Sequence, residues 1–153
     1  MLILVRHGRT ALNAAGLLQG RVDADLDEVG KAQAEQIALA LLPALRDGSI
    51  AKVVSSPLAR ARQTAAAMTD SIEIDERWIE VSYGEYEGVP MSEISPAVWK
   101  RWVDDPHFTP EGGESLHALG VRVSEACDEL VDEMRTRDVV VVTHATPVKV
   151  AMA

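Results

Sequence analysis

Four apolar residues in unbroken succession, Leu2-Ile3-Leu4-Val5, run directly into Arg6 and His7. Continuous apolar character, without polar alternation, predicts a strand buried on both faces. The abrupt switch predicts that this strand delivers a cation and an imidazole to the surface. The pattern recurs where Lys52-Val53-Val54 leads into Ser55-Ser56, and where Val139 to Val142 leads into Thr143-His144. Between these strands the apolar spacing changes. From Glu28 onward Val29, Ala32, Ile37, Leu41 and Leu42 recur at helical intervals, with Lys31, Gln33, Glu35 and Gln36 filling much of the other face, so a helix begins there with Asp27 as its N-cap. Pro43 is expected to disrupt its last turn and Asp47-Gly48-Ser49 to end it.

Pro57 is placed for the first turn of a helix running to about Thr69, where its missing N–H is not needed. A second long helix is predicted over 115–135, with Leu116, Leu119, Val123, Leu130, Val131 and Met134 as its buried stripe. Residues 6–26 read as a loop, 72–75 as a short alternating strand, and the residues after Thr146-Pro147 as the start of a last helix. Segment 76–113 contains all three Trp, both Tyr and four of the seven Pro. So long an excursion, helical only around 92–103, predicts a cap over a site.

Strands alternating with helices predict an α/β fold of three layers, α/β/α, around a mainly parallel central sheet. Ligands in such sheets bind beyond the carboxyl ends of the strands. The three polar tips are therefore expected to share one crevice holding Arg6, His7, Ser55, Ser56, Arg60 and His144.

Composition narrows the picture. A chain of 153 residues with 47% hydrophobic and 25% charged residues is expected to form a single domain, 1–153, with a sizeable core. Its formal net charge of -9 repels polyanions and argues against nucleic acid or an anionic membrane as partner. No stretch approaches the roughly 18 apolar residues of a membrane span. The apolar start has no basic region before it and none of the look of a secretory leader, so the expected location is the cytoplasm. A lone Cys127 within a helical pattern reads as a packing residue.

At the tips, two guanidiniums, an imidazole and a helix N-terminus suit an anion, and a phosphoryl group with several oxygens suits them better than a carboxylate. These residues also carry a family resemblance. Leu4-Val5-Arg6-His7-Gly8-Arg9-Thr10, Asn13, and Gly16-Leu17-Leu18-Gln19-Gly20 resemble the opening motif of the histidine phosphatase superfamily, the phosphoglycerate mutase-like proteins. The likeness continues through 26–34, through Ser55-Ser56-Pro57-Leu58-Ala59-Arg60 and the residues to Ala65, and through Glu80, Gly84 and Glu87-Gly88. It ends with Gly112-Gly113-Glu114-Ser115 and Val142-Thr143-His144, so the blocks follow family order along the whole chain.

The resemblance implies that His7 is a nucleophile forming a phosphohistidine, and that Glu80 donates a proton to the leaving oxygen. It further implies that Arg6, Arg60 and His144 clamp the transferring oxygens. Asn13 is implied as a further phosphate contact, and Gln19 and Gly20 as part of the substrate loop. Arg9 stands where many relatives carry an acidic or amide residue, which suggests a preference for substrates with a second acidic group. The expected function is hydrolysis of a small phosphorylated metabolite without metal or cofactor. The alternatives are phosphoglycerate mutase-type transfer, a protein phosphohistidine phosphatase, and a non-catalytic phosphate-binding module. Mutases of the family resemble longer chains, and the short phosphohistidine phosphatases resemble chains lacking the 76–113 excursion.

Metal readings fail in the sequence itself. Asp23-Ala24-Asp25-Leu26-Asp27 opens like a calcium loop but has Glu28 at its sixth position and Ala34 at its twelfth. His107 and His117 fall in different types of segment from the tips, which argues against zinc. Cysteine phosphatase chemistry is disfavoured because Glu133 stands six residues after Cys127. Family members usually continue past the second His with more helix and a further strand. Ending at Ala153 is thus expected to reflect a longer product or a covering partner, including a second copy of the chain.

Overall fold

The computed structural model describes residues 1–153. Its elements in chain order are β1 (Leu2–Arg6), α1 (Ala11–Ala14), α2 (Glu28–Arg46), β2 (Ile50–Ser55), α3 (Ala59–Ala66), β3 (Ile72–Ile74), α4 (Pro96–Asp104), α5 (Leu116–Met134), β4 (Asp138–Thr143) and α6 (Ala145–Ala151). The four strands form one sheet in the order β1-β4-β2-β3, and every pairing is parallel. β4 has neighbours on both sides, which is why Val139, Val140, Val141 and Val142 are all completely buried and why that stretch has no alternation.

The valines of β4 face the two outer layers in turn. Val139 and Val141 pack with Val54, Trp78 and the α5 residues Leu119, Val123, Ala126 and Leu130. Val140 and Val142 pack on the opposite face with Val5, Val53, Ala61 and Ala65, against Ile37 and Leu41 of α2. The fold is thus the expected α/β/α sandwich. A third cluster, Leu18, Ile94 and Trp102 with Tyr83, Tyr86, Trp99 and Phe108 around it, forms the interior of the cap. Trp102 takes four aromatic partners at centroid distances of 5.4–5.6 Å, mostly edge-on, the arrangement the ring quadrupoles favour.

Several boundaries differ from those the sequence suggests. The loop 6–26 contains one helical turn, α1, held by a reciprocal capping box between Thr10 and Asn13. Pro43 does not disrupt α2, whose C-cap Asp47 donates its amide to Pro43 O at 3.0 Å. Pro57 lies outside α3, which starts at Ala59 with Leu58 as N-cap. Arg60 therefore sits two positions nearer the helix start than a helix beginning at Pro57 implies. Asp27 caps α2 as expected, its Oδ1 accepting from Gly30 N at 2.8 Å. Gly8 and Gly30 make the closest backbone approach in this corner: a Cβ on Gly8 would lie 2.4 Å from Gly30 O, and one on Gly30 would lie 2.0 Å from Arg9 O. That contact sets the N-terminus of α2 directly against the loop after β1. No helix is long and apolar enough to cross a membrane.

Candidate active site

Because β1, β4 and β2 are adjacent, their carboxyl ends are adjacent too. Arg6 pairs with Thr143 and Ser55 with Val142 in register, so the next residues, His7, His144 and Ser56, emerge side by side. The His7 and His144 rings lie 5.0 Å apart between centroids. The cleft above them, about 240 Å³, is lined by Arg6, His7, Asn13, Gln19, Gly20, Arg60 and Glu80, together with Leu17, Leu18, Tyr83 and Met91.

His7 is 9% exposed, and its Nδ1 is 2.7 Å from Gly8 O. A carbonyl only accepts, so Nδ1 carries the hydrogen and Nε2 keeps a lone pair. Arg60 Nε donates to that Nε2 at 3.3 Å, which agrees with the same tautomer. Burial, reinforced by the charges of Arg60 and Arg6 and opposed by the Gly8 bond, lowers the His7 pKa to about 4. The ring is therefore neutral through the physiological range.

Arg60 is almost wholly buried and donates to Gly20 O at 2.6 Å and Val22 O at 2.7 Å. It thereby fixes both the guanidinium and the 19–22 loop. Gly20 has φ +51, and a side chain there would strike Glu87, so glycine is required for this close packing. Gln19 is buried, its Oε1 accepting from the Thr10 hydroxyl at 2.8 Å, while its Nε2 has no partner. His144 is fully buried, with Nε2 2.7 Å from Ser56 Oγ and Nδ1 unpartnered. Its pKa is driven well below the ordinary value by burial and by nearby Arg60, His7 and Arg122. A buried nitrogen without an acceptor is expensive, and the Gln19 amide nitrogen belongs to a residue that lines the cleft, where a ligand could supply one.

Glu80 is 7% exposed. Burial raises its carboxyl pKa, against bonds from the Val81 amide and from Thr146, the former at 2.9 Å. Its backbone carbonyl is gripped from two sides, by Arg21 Nε at 3.1 Å and Arg122 at 3.3 Å, and both arginines share Glu114. Tyr83 reaches Thr146 at 3.1 Å, and burial pushes its phenol up to about 12, so it remains a neutral wall. Thr146, Tyr83, Arg21, Glu114 and Arg122 had no assigned role in the sequence reading. The one local signal was the position of Thr146 in the first turn after a strand-end His.

Asn13 borders the cleft but spends its Oδ1 on the Thr10 amide at 3.2 Å, which leaves its amide nitrogen free. Arg9 lines a neighbouring recess of about 640 Å³ that shares Arg6, His7 and Asn13 with the cleft, and its Nε is paired with Asp27 at 2.8 Å. His107, in the loop after α4, and His117, in α5, stack with centroids 4.4 Å apart, and neither lines the cleft.

The model of the histidine phosphatase superfamily (branch 1) matches residues 2–153. A bifunctional protein of Mycobacterium tuberculosis is 36% identical over 99% of this chain, which spans 43% of that protein's length. Phosphoserine phosphatase 1 of Hydrogenobacter thermophilus is 35% identical over 97% of the chain and 72% of its own length. Among solved structures, a mycobacterial glucosyl-3-phosphoglycerate phosphatase in complex with VO3 superposes with a TM-score of 0.86 at 29% identity, covering 99% of this chain and 79% of its own. With sequence and overall fold in agreement over nearly the whole chain, the protein belongs to the histidine phosphatase superfamily.

Proposed function

We propose that the protein is a phosphomonoester hydrolase acting through a phosphohistidine on His7. The observation that carries this reading is the fixed tautomer of His7: Nδ1–H is tied to Gly8 O, so Nε2 carries the lone pair, held in this structure only by a long 3.3 Å bond from Arg60 Nε, in a cleft that also holds Glu80. In the first step Nε2 attacks phosphorus, the bond from phosphorus to the ester oxygen breaks, and Glu80 gives its proton to that oxygen. In the second step water attacks phosphorus and Glu80 takes its proton. The phosphorus–nitrogen bond then breaks and inorganic phosphate leaves.

Arg6, Arg60 and Nδ1 of His144 supply donors to the charge spread over the transferring oxygens, the main requirement of phosphoryl transfer. Asn13 and the unpartnered Nε2 of Gln19 add further donors, and Gly20 shapes the loop. The raised pKa of Glu80 keeps it protonated for the first step. No step requires a metal. The relatives named as phosphatases support hydrolysis of a small phosphorylated metabolite, a substrate held in the cytoplasm.

Mixing the enzyme with a phosphorus-labelled ester and quenching in alkali should trap label on His7, and His7→Ala should abolish both label and turnover. Label elsewhere, or full turnover by His7→Ala, would overturn the mechanism. A phosphoglycerate mutase of Thermus thermophilus, 34% identical with a TM-score of 0.83, favours phosphoryl transfer to a second sugar acid as the other reading. Incubation with 3-phosphoglycerate and its bisphosphate separates the two, since hydrolysis releases phosphate and transfer yields the isomer.

A further inference from the structure

We infer that the cleft selects phosphate esters whose alcohol part is uncharged and largely apolar, and discriminates against a second acidic group on the substrate. This rests on the hydrolase reading. If Glu80 protonates the leaving oxygen, the alcohol part lies at the Glu80 end of the cleft. That end is walled by Leu17, Leu18, Tyr83 and Met91. The wall is held firmly, with Leu18 N bonded to Val89 O at 2.9 Å and Met91 N to Gly16 O at 3.0 Å. Behind it Leu18 and Tyr83 join the packed aromatic interior of the cap. At about 240 Å³ the cleft admits a phosphoryl group and a body of one ring's size.

A second carboxylate or phosphate would need a cation beyond Arg6 and Arg60, which line the cleft and are assigned to the transferring oxygens. Arg60 faces His7 and the phosphoryl position. Arg21 is spent on Glu114 at 3.1 Å and on the Glu80 carbonyl. Arg122 makes two bonds of 2.9 Å to the same Glu114. Arg9, which the sequence suggested as a receptor for such a group, lines the adjoining recess, which meets this cleft at Arg6, His7 and Asn13, and is absent from the wall at the Glu80 end. Its partner Asp27 is itself tethered as the N-cap of α2, so engaging Arg9 would disturb a helix start. Glu87, whose carboxylate lies against Gly20 of the cleft wall, accepts from the Arg21 amide, the Tyr83 amide and the Ser82 hydroxyl and adds negative charge behind that wall. Phosphoserine, the substrate named for one relative, would bring its carboxylate against this wall.

Benzyl phosphate and 4-carboxybenzyl phosphate test this, because they present the same type of leaving oxygen and differ by one carboxylate. The uncharged ester should show a kcat/KM at least about tenfold higher, the scale expected when a charge is buried without a partner. Met91→Arg should close or reverse that gap, and Arg9→Gln should leave the ratio unchanged. Equal or faster turnover of the carboxylate ester, or a ratio that collapses with Arg9→Gln, would overturn the inference while leaving the hydrolase reading intact. Calorimetry with benzylphosphonate and 4-carboxybenzylphosphonate reads the same discrimination without turnover. A preference for the uncharged phosphonate with no labelled His7 would sink the hydrolase mechanism and spare the selectivity.

Discussion

Ser56 Oγ stands 2.7 Å from Nε2 of His144, and the same oxygen accepts the Leu58 amide at 3.4 Å. If the serine hydroxyl donates to Nε2 while accepting the amide, the imidazole hydrogen is on Nδ1, the tautomer that the proposed clamp on the phosphoryl oxygens requires. Nδ1 is the buried atom without a protein partner, and as a donor it suits a phosphoryl oxygen. Ser56→Ala should therefore weaken vanadate binding and lower kcat/KM by about tenfold, the worth of one well-placed hydrogen bond. Nitrogen-15 shifts of His144 provide the direct check. Identical tautomer populations in the wild type and Ser56→Ala would rule out this role.

The two titrating groups of the mechanism are displaced in opposite directions, and that fixes the shape of the pH profile. His7 must be neutral to attack, and its pKa of about 4 puts the acid limb of kcat/KM near there instead of at 6.5. Glu80 must be protonated to donate, and its raised pKa extends activity above the ordinary carboxyl range before the rate declines. The decline should be marked for alkyl phosphates, whose oxygen needs the proton, and weak for 4-nitrophenyl phosphate, whose oxygen does not. Glu80→Gln should slow alkyl esters far more than the nitrophenyl ester. An acid limb centred at 6.5 would mean that His7 is not shielded as described.

The same depression of His7 contributes to stability. A histidine whose folded pKa lies below 6.5 binds fewer protons when folded, so stability falls as pH drops from 6.5 toward about 4. At pH 5 this amounts to about 2 kcal/mol. His144 acts in the same sense. Asp75 and Glu114, held below ordinary values of 3.8 and 4.5, lose their stabilisation only at lower pH. Glu80 opposes the histidines, since its raised pKa favours the folded state as pH falls toward 4.5. Comparing unfolding of wild type and His7→Gln between pH 7 and pH 5 isolates the His7 term: the variant should lose less stability on acidification. Parallel curves would contradict the assignment.

What could be read in the chain followed from how strongly the fold constrains it. Central parallel strands admit only apolar residues, so β1, β2 and β4 and their polar ends stood out, and sheet adjacency then brought Arg6, His7, Ser56 and His144 together. Glu80 lies outside any strand tip and was legible only through family resemblance. The clamp on its carbonyl was not legible at all, because Arg21 meets Glu114 across 93 positions and Glu80 across 59, and no local periodicity encodes such a pairing. The ion pair of Arg9 was hidden for a related reason. The isolated bridge between Thr10 and Leu26 folds the loop back so that Asp27 N bonds Arg9 O at 3.0 Å, delivering a carboxylate to a guanidinium that looks unpaired in the sequence.

That clamp gives the last prediction. Glu114 is 15% exposed at its side chain and Arg122 16%, so the anion between the two guanidiniums is well sheltered, and both arginines reach the carbonyl of Glu80. Glu114→Gln leaves both cations with only a neutral acceptor, which should cost about 2 kcal/mol of stability for a partly buried pair. If the clamp also positions the acid, the variant should lose about tenfold in kcat on alkyl phosphates while keeping its rate on 4-nitrophenyl phosphate, a split that a general loss of stability would not produce. Combining it with Glu80→Gln decides the point. When Glu114 acts through Glu80, its removal should cost little further once the acid is gone, so the two effects fail to multiply; fully multiplicative losses would show that Glu114 supports the cleft by another route.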